Sequence, residues 1–220
     1  MGAMKPQADG PDRFQREARP LLDALEAAGV ETADFGRFGI SSHHTFDFAR
    51  AAPIIVDWLP RIADPNVKEA MVRSLAGQRA ARGEGARRLL AEFNRPEYAS
   101  QVGLCWAIAS TLATLAGPSD ADAIIDILQE SRHGTARQML CDALVRTRDH
   151  RRVGVLLDLI DDDDVAGHAI SALRRISDRD RITERMRPKL EAVLARPSAT
   201  PYAKRAARSA MKALQGRGSI

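Results

Sequence analysis

The chain has 220 residues, 45% hydrophobic and 28% charged, with a formal net charge of +4. That balance points to a soluble protein able to bury a sizeable core, and no run is apolar enough to cross a bilayer. Aromatics make up only 5% while Ala and Leu recur throughout, which favours helix over sheet; the mild basic excess permits a polyanion or an acidic protein partner without demanding either.

Residues 1–12, rich in Pro, Gly and Asp, read as a disordered segment. Met1 to Gly10 is polar and has no apolar secretory core, so the cytoplasm is the expected location. A first helix from Arg13 to Ala28 rests on Phe14, Ala18, Leu21, Leu22 and Leu25, with a kink or restart expected at Pro20 and a stop at Gly29. Phe35, Phe38, Ile40, Phe46 and Phe48 then place four of the six phenylalanines in an irregular stretch. Residues 13–48 therefore read as a helix with an aromatic-rich cap over the first hairpin. A binding edge is the other reading.

From residue 49 the pattern repeats. A helix from Ala49 to Ile62, starting near Pro53, shows Ala52, Ile55, Leu59 and Ile62; the turn Asp64-Pro65-Asn66 leads to a second helix with Val67, Met71, Leu75 and Ala76. Glu84–Phe93 and Tyr98–Leu115 form the next pair, the latter with Val102, Cys105, Trp106, Ala109, Leu112 and Leu115 on its apolar stripe. A helix opened by Ser119 or Asp120 carries Ile124, Ile125 and Leu128, and its partner carries Ala136, Met139, Leu140, Ala143 and Leu144. Arg151–Ile160 pairs with Val165–Ile176, and Arg181–Ala195, bent at Pro188, pairs with Pro201–Leu214.

The second helices align on Leu75, Leu112, Leu144, Leu173 and Leu214, separated by 37, 32, 29 and 41 residues. One helical hairpin has about that length, and its apolar faces need stacked neighbours to be covered. The fold expected is all-α, an α-solenoid of about five hairpins over residues 49–215, with 216–220 as a frayed end. An irregular helical bundle is the alternative.

The repeat unit resembles the HEAT family, which has an Asp-Pro type turn followed by a helix with an Arg or Lys near its start and an Ala/Leu stripe. Asp64-Pro65-Asn66-Val67-Lys68-Glu69-Ala70 carries the resemblance best, with Lys68 in place of the usual arginine. Thr135-Ala136-Arg137-Gln138 keeps the basic residue but not the acidic turn; Asp162-Asp163-Asp164-Val165 keeps the acidic turn but not the basic residue. A turn carboxylate suits the exposed amides opening the next helix. The resemblance implies a superhelical stack whose second helices line a concave surface, used for recognition or scaffolding more often than chemistry. Some bacterial members bind damaged DNA or excise alkylated bases, and others act as bilin lyases. The glycosylase branch implies tryptophans in a cleft with an aspartate one turn away. Here Asp57 adjoins Trp58, so the two point about 100° apart on a helix, and no acid lies three or four residues from Trp106.

Catalytic constellations are not legible. There is no G-x-S-x-G elbow and no Gly-rich phosphate loop, and Gly83-Glu84-Gly85 holds an acid that makes it a poor phosphate cradle. His43-His44 with Asp47 reads as a loop or helix cap, and Asp161–Asp164 lacks calcium-loop spacing and reads as a solvated turn and cap. Cys105 and Cys141, with no C-x-x-C pair, read as buried thiols of a reducing compartment; a disulfide or reactive thiol is the other reading. No catalytic residue, metal site or cofactor is expected.

Positive charge is the remaining signal. Lys204, Arg208 and Lys212 form a ridge on the last helix, and Arg73, Arg79, Arg82, Arg87 and Arg88 form a second cluster. Arg146, Arg148, Arg151 and Arg152 follow one second helix; Arg174, Arg175, Arg179 and Arg181 follow the next, so stacking predicts a basic stripe along one edge. Of these, Arg146, Arg148, Arg151, Arg152, Arg174, Arg175, Lys204, Arg208 and Lys212, with Arg137, Trp58 and Trp106, are the candidate binding set. The function expected is a non-catalytic scaffold gripping another protein, an acidic one if the basic edge is used, on its concave or capped surface. A DNA- or RNA-binding module using the basic edge is the alternative. No membrane partner is expected.

Overall fold

The computed structural model of the chain describes residues 10–33, 35, 46–98, 100–176 and 179–215. Among them every regular element is helical. Helix α1 (Gly10–Ala27) is followed by the pairs α2 (Phe48–Trp58) and α3 (Pro65–Ser74), α4 (Glu84–Phe93) and α5 (Val102–Leu115), and α6 (Ala121–Gln129) and α7 (Leu140–Thr147). Two further pairs are α8 (Arg152–Asp158) with α9 (Ala166–Leu173), and α10 (Arg179–Ala195) with α11 (Pro201–Gln215). None is long and apolar enough to cross a membrane.

The packing order follows the hairpins. Each first helix lies against its own second helix, and α3, α5, α7, α9 and α11 contact one another in succession. First helices meet one another more sparsely, chiefly α2 with α4 and α8 with α10. The second helices therefore form one continuous layer. Leu75, Leu112, Leu144 and Leu173, the residues on which the helices align, are all buried. Leu214 is only half-buried, and Ala203, Ala207 and Ala210 supply the buried stripe of α11 instead. At the other end α1 rests on α2 and α3, and Phe14, Phe35, Phe46 and Phe48 form a chain of ring contacts with centroids 4.9–6.2 Å apart. Phe38, Ile40, His43 and His44 lie outside the described residues, as do residues 1–9 and 216–220.

Local chemistry sets the helix ends. Asp64 caps α3, its carboxylate accepting from Asn66 N at 2.9 Å and Val67 N at 3.1 Å, with Pro65 opening the helix. Asp47 caps α2 by accepting from Arg50 N at 3.0 Å, so that helix begins ahead of Pro53 rather than at it. Nor does Pro20 restart α1, or Pro188 break α10. These three prolines face solvent, and so do Arg16 and Ala49, whose carbonyls Pro20 and Pro53 leave unbonded. Water can satisfy those carbonyls, which removes much of the usual cost of about 3 kcal/mol.

Two buried cations tie hairpin to hairpin. Lys68 of α3 is fully buried and donates to Glu92 of α4, with its ammonium 4.9 Å from the Tyr98 ring centre. Arg137, also buried, donates to Leu128 O at 2.7 Å, Gly134 O at 3.1 Å and Asp162 at 2.7 Å. Both are the basic residues that the sequence pattern places just after a turn between paired helices. Removing one partner strands a buried charge, so Lys68→Met is expected to lower stability by about 3–5 kcal/mol in denaturant unfolding. Lys68→Met with Glu92→Leu should recover most of that loss. A double variant as unstable as the single would show that the pair does not act as a unit.

Candidate functional site

Helix α5 is apolar on nearly every side of its N-terminal half, so the sequence does not reveal the phase of its buried face. Tertiary contacts set it. With α3, α4 and α7 packed around it, α5 buries Leu104, Cys105, Ala107, Ile108, Ala109, Thr111, Leu112 and Leu115. Thr111 donates to Val72 O at 3.1 Å and Thr114 accepts from Gly77 N at 2.8 Å, which turns that side toward α3. The face left over carries Val102, 56% exposed, and Trp106, 38% exposed. The sequence pattern put both on the apolar stripe and also made Trp106 a binding candidate. Four residues apart, they stand one above the other.

The same layer continues past α5. Asp142 of α7 pairs with Arg175 just past α9, Ser171 of α9 lies 3.2 Å from the Tyr202 hydroxyl of α11, and Arg174 donates to Ser209 at 3.1 Å. Tyr202 is 37% exposed, with the His168 ring 4.8 Å away and the Arg205 guanidinium 5.4 Å from its own ring centre. It is seated directly on Gly167: a Cβ there would lie 2.4 Å from a Tyr202 ring carbon and 3.2 Å from Ala203 Cα. Val102, Trp106 and Tyr202 are the large hydrophobic residues exposed among the described ones, and all three belong to second helices.

The expected basic stripe is mostly engaged within the chain. Arg151 pairs with Asp122 of α6 and with Asp149, whose carboxylate it holds well below the usual range. Arg152 donates to Arg148 O at 2.9 Å and Asp149 O at 2.8 Å. Arg174 and Arg175 are bound as described, Arg179 and Arg181 have no described side chains, and Arg137 is buried and so cannot meet a partner. Lys204 is half-buried; Arg208 and Lys212 are exposed and have no partner among the described residues. Trp58 is half-buried beneath Arg61, 5.1 Å from its ring centre, and Asp57 binds Arg61 at 2.6 Å. Arg146 and Arg148 are exposed and unpaired among the described residues, and Arg148 holds a left-handed backbone with φ 59°.

The acidic turn is not a bare solvated loop. Asp161 binds Lys189 at 2.6 Å, Asp162 binds Arg137, and Asp163 binds Arg196 at 2.6 Å. Sequence reasoning missed this knot because its cations come from other hairpins. Among the described residues no group of three or more His, Cys, Asp or Glu is arranged to hold a metal ion. Cys105 and Cys141 are buried free thiols; burial pushes Cys141 up to about 12, and the Cys105 thiol donates to Tyr98 O at 3.3 Å. Comparison with protein-family models, with curated proteins and with solved structures finds no match to this chain.

Two expectations follow. Gly167→Ala forces Tyr202 and α11 outward and should cost about 1–3 kcal/mol, whereas Gly154→Ala, at an open helical position, should stabilise by about 0.5–1 kcal/mol. Equal thermal midpoints for the two variants would remove the case for close α9–α11 contact. Burial holds His168 below its ordinary value of 6.5, so the folded state binds fewer protons than the unfolded one near that pH. Its stabilising contribution is full above pH 6.5 and is lost as pH falls through the lower folded value. His133 is shifted the same way, first by burial. Thermal midpoints should therefore fall as the pH drops below 6.5, and His168→Gln should flatten that slope.

Proposed function

We propose that this chain is a HEAT-like α-solenoid acting as a non-catalytic cytoplasmic scaffold that holds a partner protein on the face of its second helices. The observation that carries this reading is the placement of Val102, Trp106 and Tyr202. Scattered exposed hydrophobics are ordinary on any surface. Here they fall on one layer, and two of them form an adjacent pair on α5.

The surroundings suit an interface. An aromatic anchor with a polar rim is the usual anatomy of a protein contact, and Trp, Tyr and Arg supply most binding energy where alanine scans exist. Around Trp106 and Tyr202 the layer offers Asp142–Arg175, Ser171, Arg174–Ser209 and Arg205. The denser packing among second helices than among first helices supports a superhelix that curves toward this face. The aromatic cap at the α1 end takes a structural role, closing the first hairpin. The nucleic-acid alternative has less support, because Arg151, Arg152, Arg174 and Arg175 are occupied by the chain's own acceptors.

Affinity capture from the native cell with wild type, Trp106→Ala and Trp58→Ala tests the reading. Trp106→Ala should weaken the captured complex at least tenfold while Trp58→Ala leaves it intact, since truncating an interface hot spot costs about 2 kcal/mol or more. Equal affinity for all three proteins would overturn the assignment of this face. Duplex binding that falls steeply with salt, and is abolished by charge reversal at Lys204, Arg208 and Lys212, would favour the nucleic-acid reading.

A further inference from the structure

Two turns between successive hairpins and the end of α7 meet at an edge cleft of about 460 Å³. Arg82 and Gly83 border it from the turn before α4; Gly117 and Ser119 from the turn between α5 and α6; Arg146 and Arg148 from the end of α7. We infer that this cleft is a binding site for a phosphate group carried on a small molecule, with Arg82, Arg146 and Arg148 as its cationic clamp.

The charge balance is the first argument. Arg82, Arg146 and Arg148 have no side-chain hydrogen bond or ion pair among the described residues. Their acidic neighbours in sequence are already occupied: Glu84 by Arg87 and Arg88, Asp149 and Asp122 by Arg151. The one carboxylate in the cleft wall, Asp120, is buried and accepts from Gly117 N at 2.8 Å. Two unpaired like charges sit at the C-terminal end of one short helix, Arg146 in its last turn and Arg148 at its cap, and stacking brings a third to the same cleft from a distant turn. Three guanidinium groups beside a single buried carboxylate leave the cleft with an excess of positive charge, and the arrangement suits a ligand that supplies the missing negative charge.

Backbone geometry is the second argument. Arg148 ends α7 in the left-handed region, φ 59°, where glycine or asparagine is the usual residue. It is the described non-glycine residue with positive φ. An arginine at that strained position keeps a guanidinium at the cleft that glycine would not supply. Space and neutral donors complete the site. Nothing lies within 4 Å of a Cβ built on Gly83, and Ser119 is exposed at the opening of α6 with a hydroxyl free to donate.

The chemistry favours phosphate over a single carboxylate. Three planar forks present more charge and more donors than one carboxylate can use, whereas a phosphate monoester brings close to two negative charges and three terminal oxygens. The volume lies within the range of small-molecule pockets and exceeds the needs of a bare ion.

Thermal shift and calorimetric titration with inorganic phosphate, pyrophosphate and free phosphoserine, each against chloride at matched ionic strength, test the proposal. Wild type should show saturable binding to at least one of the three probes. The double variant Arg82→Gln with Arg146→Gln should weaken it at least tenfold, while Arg208→Gln leaves it unchanged. Arg148→Gly should raise the thermal midpoint of the free protein and still lose the phosphate-dependent shift, a combination that a merely structural role for Arg148 does not produce. Responses no larger than chloride's, or a double variant that binds like wild type, would overturn the site. Duplex binding lost in the double variant without saturable binding of any small phosphate would also overturn it, assigning the cleft to a nucleic-acid backbone. None of these outcomes depends on Trp106, so the cleft and the second-helix face stand or fall separately.

Discussion

An amphipathic helical hairpin leaves apolar surface uncovered on both flanks, and the next hairpin is what covers it. In this chain the contact is reinforced by buried charge. Lys68 reaches Glu92 and Arg137 reaches Asp162, each from one hairpin into the following one. A buried ion pair adds little net stability over a well-packed apolar pair, because both charges lose their water. Its effect lies in specificity: an ammonium or guanidinium inside the core has few places where all its donors are satisfied. Arg137 makes bonds to two carbonyls and a carboxylate, and a shift between hairpins would break the last of these first.

That stacking decides what remains on the surface. Because α3, α4 and α7 surround α5, its free face is narrow, and Val102 and Trp106 are the apolar residues left there. Because α9 and α11 approach over Gly167, Tyr202 is held across the α9 surface beside His168 and Ser171. The turns at the edge experience the opposite situation. Their arginines are brought together from separate hairpins, and some find carboxylates on a neighbouring unit, as Arg151 does with Asp122 and Arg175 with Asp142, while Arg152 and Arg174 bind carbonyls and a hydroxyl. Arg82, Arg146 and Arg148 do not. One constraint thus leaves an apolar pair on one side of the layer and an unneutralised basic cleft at its rim.

Much of the fold was legible because helical periodicity is local. Leu21, Leu25, Ile55, Leu59, Met71, Leu75, Leu144 and Leu173 were read as core from spacing alone and are buried. The capping role of Asp64 followed from its place before a proline-led helix. The misreadings share one cause. Val102 was placed on the apolar stripe, and Trp106 both there and among the binding candidates, because α5 is apolar nearly all round, and a helix without a polar face has no readable phase. Arg137 was counted as a surface contact because a basic residue usually is one. Asp161 to Asp164 do lie at the surface, but their ion pairs were missed because the cations, Lys189, Arg196 and Arg137, lie far away in the chain.

The sequence by itself determined that the chain is helical, that its helices come in pairs, and which leucines and alanines of most pairs are buried. Those properties depend on residues three and four apart, so spacing carries them. Only the tertiary structure decided which side of α5 stays exposed, which arginines are neutralised, and which three meet unpaired at the cleft. Charge compensation and solvent exposure depend on the nearest neighbour in space, and in this chain that neighbour is often on the next hairpin, some 24–39 residues away.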